Sequence, residues 1–183
     1  MSNTERVAVF VDGSNFYRKL KEVGVHHTPH FKYRELAEWL AHGRTIVYCG
    51  YYIGVVRAKL GDSKAEAMKN QQVNLFNNLG SKRQRFVVHR GYIMEHQGVY
   101  YEKGVDVKLA VDLLAGAYED LYDTAILLSS DTDLVPAIQK VRMLGKNVEY
   151  IGFAHRPSLG LQKHVTLSRL LIKSELEPFA DSL

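Results

Sequence analysis

Apolar residues in this chain come in short uninterrupted runs separated by stretches with helical spacing. Val7 to Val11 (VAVFV) is one such run and stops at Asp12-Gly13-Ser14-Asn15, after which Phe16, Leu20 and Val23 recur at helical intervals as far as Gly24. Tyr33 to His42 predicts a helix with Leu36, Trp39 and Leu40 inward, and Thr45 to Ile53 (TIVYCGYYI) predicts a strand. From Lys64 to Leu79, the positions Ala67, Val73, Leu75, Phe76 and Leu79 predict a long helix stopped by Gly80. Phe86 to Val88 reads as a short strand; Tyr92 to Tyr101, with Gly91 and Gly98 as breakers, fits either a β-hairpin or a loop. Gly104 to Ala117 (GVDVKLAVDLLAGA) predicts a helix with Leu109, Ala110, Leu113 and Leu114 inward and Asp106 in its first turn. A strand follows at Thr124 to Ser129, and its core Ala125 to Leu128 has no polar interruption, as in a strand covered on both faces. It ends in Ser130-Asp131-Thr132-Asp133, and a helix on Leu134, Ile138 and Val141 runs to near Gly145. Val148 to Ile151 predicts one more strand, and the tail holds a short helix around Leu159 to His164 and an apolar run, Leu170 to Ile172.

Strands alternating with helices imply an α/β fold, a mostly parallel sheet with helices on both faces. Right-handed crossovers put every strand C-terminus and the following helix N-terminus on one sheet edge, where open α/β sheets bind ligands. Asp12 and Asp131 stand at strand ends, and Asp106 and Asp133 in first helical turns, so all four belong to that edge. Helix capping explains each aspartate singly, but four on one edge favour a shared acidic site. Asp112, six residues beyond Asp106, points elsewhere on its helix and is left out of the set. Ser14, Asn15, Ser130 and Thr132 flank the aspartates and could hydrogen-bond metal waters or phosphate oxygens; turn capping is their other role.

Composition narrows the setting. The 183 residues suit one domain spanning 1–183, with 46% hydrophobic and 24% charged residues as in a globular protein in water. No run reaches membrane-spanning length, and MSNTERVAVF lacks the basic start and apolar stretch of a secretory signal, so a cytoplasmic location and no membrane partner are expected. The one cysteine, Cys49, sits in an apolar run as a small core residue. His26, His27 and His30 fall in a polar stretch without metal-ligand spacing and read as a solvated loop. A net charge of +4 permits a polyanionic partner, and if aspartates converge at one point the remaining surface is more basic than that total. Lys82, Arg83, Arg85 and Arg90, with Tyr92, Tyr100 and Tyr101 nearby, could pair with phosphates and stack on bases; a solvated face is the alternative for the cations.

Four carboxylates without cysteine suit a hard cation, Mg²⁺ or Mn²⁺. VFVDGSNF (9–16), KGVDVKLAVDLL (103–114) and LLSSDTDL (127–134) resemble, in order and spacing, the three acidic motifs of the NYN domain, specifically the LabA-like group of PIN-like ribonucleases, over roughly Val7 to Gly152. The resemblance implies a Rossmann-like PIN fold, Mg²⁺- or Mn²⁺-dependent cleavage of RNA, and metal ligation by Asp12, Asp106, Asp131 and Asp133. In the third motif Ser130 and Leu134 replace the usual glycine and aromatic, which keeps the carboxylates and alters only the fine geometry. Single-stranded RNA is the expected substrate; Lys103 could contact a phosphate, an exposed loop lysine being the favoured alternative, and the oligomeric state is left open. A catalytically silent RNA-binding or regulatory module is the main alternative. Asp131-Thr132-Asp133-Leu134-Val135 also fits the opening motif of haloacid-dehalogenase-type phosphohydrolases. That motif normally starts its domain, however, and the reading leaves Asp12 and Asp106 without a role.

Overall fold

The computed structural model describes residues 4–25, 30–55, 63–96 and 99–180. Seven strands form one sheet: β1 (Arg6–Asp12), β2 (Thr45–Val55), β3 (Val87–His96), β4 (Val99–Lys103), β5 (Thr124–Leu128), β6 (Asn147–Phe153) and β7 (Leu167–Leu171). Their spatial order is β4-β3-β2-β1-β5-β6-β7. Neighbours pair in parallel except β3 and β4, which run antiparallel from Tyr92 opposite Lys103 to His96 opposite Val99. Of the two forms open to Tyr92–Tyr101, the chain adopts the β-hairpin pairing. The stretch 26–29, holding two of the loop histidines, lies outside the described residues.

The helices are α1 (Gly13–Glu22), α2 (Tyr33–Ala41), α3 (Ser63–Leu79), α4 (Val105–Tyr118), α5 (Val135–Met143) and the single turns α6 (Leu159–Gln162) and α7 (Lys173–Leu176). β1 shows how the two-sided core arises, because successive strand side chains alternate between faces. Val7, Val9 and Val11 join a cluster with Phe16, Leu20, Leu36, Leu40 and Leu79 from α1, α2 and α3. Ala8 and Phe10 join Leu109, Leu113, Ile138 and Val141 from α4 and α5 on the other face. At the start of the strand, Arg6 binds the Asp123 carboxylate through its backbone N–H (2.8 Å) and its guanidinium (2.7 Å). These bonds hold that carboxyl down to about 2.

One helical pattern turned out differently from the spacing. Val73 and Ala67 of α3 are exposed, whereas Leu75, Phe76 and Leu79 are buried. A 17-residue helix is about 25 Å long, and only its C-terminal end reaches the core. The apolar run Leu170–Ile172 covers the end of the edge strand β7 and the residue after it; β7 pairs with β6 alone, and Leu167 and Ile172 are half exposed.

Chain order takes β2, β3 and β4 outward on one side of β1, then returns through α4 to place β5, β6 and β7 on the other. The direction reverses between β1 and β5, and a crevice at such a switch point is where open α/β sheets hold ligands. α4 packs against β1, β2 and β3 on its way across. Its start is set by Gly91 in β3: a Cβ there would stand 2.4 Å from Val105 Cγ2 and 2.8 Å from the Lys103 carbonyl oxygen. Because one of those contacts is backbone, Gly91→Ala is expected to push the first turn of α4 outward and destabilise the fold by about 1–3 kcal/mol. Urea denaturation checks this, and an unchanged midpoint would mean that the α4 start yields freely.

Candidate acidic site at the switch point

β1 and β5 register with Ala8 opposite Ala125 and Phe10 opposite Leu127. Two residues further on, Asp12 comes opposite Ser129, and the Ser129 hydroxyl donates to Asp12 Oδ2 at 2.9 Å. The other oxygen, Oδ1, accepts the backbone N–H of Asn15 at 3.0 Å, so Asp12 caps α1 while closing β1. Asp12 as a whole is 5% exposed. Gly13 must be small here, since a Cβ would lie 2.3 Å from Tyr51 Cε1.

The same serine hydroxyl accepts the backbone N–H of Asp131 at 3.1 Å, and Asp131 Oδ1 accepts that of Asp133 at 2.9 Å. A relay of local hydrogen bonds thus runs from the short 3-10 turn Thr132–Leu134 back to the buried carboxylate. Asp131 is half-buried and Asp133 exposed. Asp106, exposed, sits in the first turn of α4, a helix that also packs against the 132–134 turn.

The edge argument holds for Asp12, Asp131 and Asp133, which follow the parallel strands β1 and β5, whereas Asp106 is carried by the helix that follows the antiparallel β4. Among the described residues no group of three or more His, Cys, Asp or Glu is arranged to hold a metal ion. Asp12 and Asp131 each use a carboxylate oxygen to cap their own turn. The donor set nevertheless fits Mg²⁺ or Mn²⁺, being all oxygen, and Mg²⁺ is commonly held by one or two carboxylates with waters and substrate phosphate completing the shell. Asp12, tied through Ser129 to the turn that carries Asp131, is the residue that would hold such an ion.

Ser14 and Asn15 are half-buried in the first turn of α1. Ser130 Oγ lies 3.4 Å from the Tyr150 hydroxyl, which also accepts the backbone N–H of Ser158 at 3.0 Å. Thr132 is exposed, with its methyl over Gly160 of α6. Lys103 is exposed at the end of β4.

The four cations expected as a phosphate-binding rim are dispersed. Lys82 is exposed, Arg83 pairs with Glu35 of α2 (3.0 Å) and Arg85 donates to the Lys82 carbonyl (3.1 Å), all before β3 begins. Arg90 follows His89, which is level with Tyr52 and hence with Asp12. By strand alternation Arg90 turns to the other face, where its guanidinium lies 4.6 Å from the centre of the Phe76 ring. The Tyr100 and Tyr101 side chains lie outside the described residues, and Tyr92 is half exposed.

Two features had gone unassigned in the sequence. Ser129, passed over in favour of Ser130, is the residue that links Asp12 to Asp131; the parallel register opposite Asp12 is the signal that identifies it. Asp112, set aside from the acidic set, accepts from the Tyr52 hydroxyl (3.0 Å) and Lys108 (2.6 Å) and stands 3.6 Å from His89. The Tyr48 hydroxyl bridges Tyr52 (3.0 Å) and His89 (2.7 Å), and the His89 ring stacks on Tyr52 at 4.6 Å. Burial lowers the His89 pKa and raises those of Tyr48 and Tyr52, which favours the neutral form of each.

The open α/β sheet is of the PIN-like class. The chain belongs to the NYN domain family, which matches residues 6–166 and so spans all three acidic motifs. This span leaves the dehalogenase-type reading of Asp131–Val135 without support. A search of curated proteins finds no match. Among solved structures, a protein of unknown function from Vibrio parahaemolyticus is similar in fold, with 18% identity and a TM-score of 0.65 over 94% of this chain and 96% of that one.

Ser129→Ala removes the donor to Asp12 and the acceptor for the Asp131 N–H together. It is expected to lower stability by about 1–3 kcal/mol, the cost of buried polar groups left unpaired. Ser130→Ala, at the longer contact, is expected to cost less. Equal denaturation midpoints for the two variants would contradict the assigned link.

Proposed function

We propose that this protein is a metal-dependent ribonuclease of the LabA-like group, using Mg²⁺ or Mn²⁺ to cleave single-stranded RNA. The observation that supports the reading most is the buried Asp12 carboxylate, held on both oxygens at the switch point of an NYN fold with Asp131 one hydrogen-bond relay away. An ion bound there supplies Lewis-acid polarisation of a phosphoryl oxygen. Asn15 and Ser129 lock the orientation of Asp12, and Asp106, Asp131 and Asp133 complete the acidic edge. Ser14, Ser130 and Thr132, with the side-chain amide of Asn15, offer neutral hydrogen bonds to the RNA backbone, and Lys103 offers a positive charge. Among Lys82, Arg83, Arg85 and Arg90, the dispersed positions favour contacts with a strand lying across the surface over a rim around the acidic site.

A second reading, a silent RNA-binding or regulatory module, draws on the capping geometry of Asp12 and Asp131 and the lack of a three-ligand group among the described residues. Cleavage of a labelled single strand separates the two. The ribonuclease reading predicts cutting with Mg²⁺ or Mn²⁺, none with chelator, and slower cutting of duplex, whose A-form geometry restricts the backbone. Asp12→Asn and Asp131→Asn are expected to bind the RNA and cut it at least a hundredfold more slowly, as for removal of charge from a metal site (~2.7 kcal/mol at the transition state). Identical residual cleavage by wild type and both variants would mark contamination and favour the binding module.

A further inference from the structure

α4 departs from the rule that a helix covering a sheet turns its polar side to water. Its outward positions are Val107, Val111 and Tyr118, exposed by 68%, 51% and 60%, with Leu114 half-buried between them. At 100° per residue these four fall within a sector of about 60° and run about 16 Å along the helix. The opposite side, Val105, Leu109, Leu113 and Ala117, is the one buried against the sheet. Hence the helix is apolar on both faces. The adjacent α5 adds Met143, 79% exposed, at its C-terminal end.

Charge along the stripe indicates what covers it. Lys108 and Glu119 both lie about 100–120° round from Val107, on the same flank and near opposite ends. Rotation about a two-fold axis perpendicular to the helix brings a flank against the same flank of a second copy, running the other way. Val107 then meets Tyr118 of the second copy, Val111 meets Leu114, and Lys108 meets Glu119, each pairing occurring twice. Lys108 keeps half its side-chain surface exposed while paired with Asp112, so it has donors left for a second carboxylate. The two helix dipoles oppose each other in that arrangement, which adds to the attraction.

We propose that the outer face of α4 is a homodimer interface, formed by antiparallel packing of α4 on α4 around a two-fold axis near Val111 and Leu114. The surface lies opposite the sheet-facing side of the helix, and the proposal stands independently of any nuclease activity.

Sedimentation velocity of the full chain over a range of concentrations tests it. Wild type is expected to sediment as a dimer in equilibrium with monomer. Val111→Glu, which puts two carboxylates next to the two-fold axis, is expected to raise the dissociation constant at least tenfold while leaving the melting temperature of the monomer intact. Glu119→Lys sets two lysines against each other on each flank and is expected to weaken the dimer in low salt, with the effect fading as salt screens it. A monomeric wild type, or a dimer unaffected by Val111→Glu, would overturn the interface. Dissociation by Val111→Glu with no response to Glu119→Lys would overturn the antiparallel arrangement. If Val111→Glu fails to fold, the salt-dependent response of Glu119→Lys decides alone: its presence supports the interface and its absence rejects it.

Discussion

The buried carboxylate of Asp12 is the constraint on which the site depends. β1 is the central strand, nearly inaccessible from Val7 to Val11, and it ends in a group that water would normally solvate. Burying a carboxylate is tolerated when its oxygens find donors. One donor comes from the first turn of α1 and the other from the exit of β5, so one side chain fixes the helix that follows its own strand and the strand on the other side of the switch point. Loss of such a cap is commonly worth about 0.5–2 kcal/mol. The second bond, to Ser129, ties that cap to the turn that carries Asp131 and Asp133.

Asp12 and Asp131 serve as caps and as candidate ligands with the same oxygens. A divalent ion would have to compete with backbone N–H donors for them, or share oxygens with them. Asp106 approaches from α4, whose position is set independently by its contact with Gly91 and by its packing on β1, β2 and β3. The Tyr48, Tyr52, His89 and Asp112 network braces that helix from the β2 and β3 side, at the same level of the sheet as Asp12.

Much of this was legible in the residues because burial on two faces leaves a plain signature. VAVFV and AILL are uninterrupted runs, and their ends locate Asp12 and Asp131 on one sheet edge without any knowledge of strand order. What periodicity could not supply was lateral information. Strand order decides that Asp12 and Ser129 are neighbours, so Ser130 was singled out in place of the serine that makes the bond. Strand parity separates His89 from Arg90, placing one beside the acidic side of the sheet and the other over Phe76 on the opposite face. The cations before β3 formed a cluster in sequence, yet Arg83 is engaged by Glu35 of another helix, a partner that only the tertiary fold brings near. Asp112 was set aside by its angle from Asp106, and its partners on β2 and β3 come from segments far away in the chain.

The most direct test of the account is whether a divalent ion binds at Asp12 at all. Isothermal titration of Mn²⁺ into the RNA-free protein measures this without any assumption about catalysis. The account predicts a saturable site in the wild type that disappears in Asp12→Asn, with Asp133→Asn weakening it less because Asp133 is exposed at the margin. Absence of binding to the wild type, or equal binding to Asp12→Asn, would contradict it and leave Asp12 as a structural cap alone.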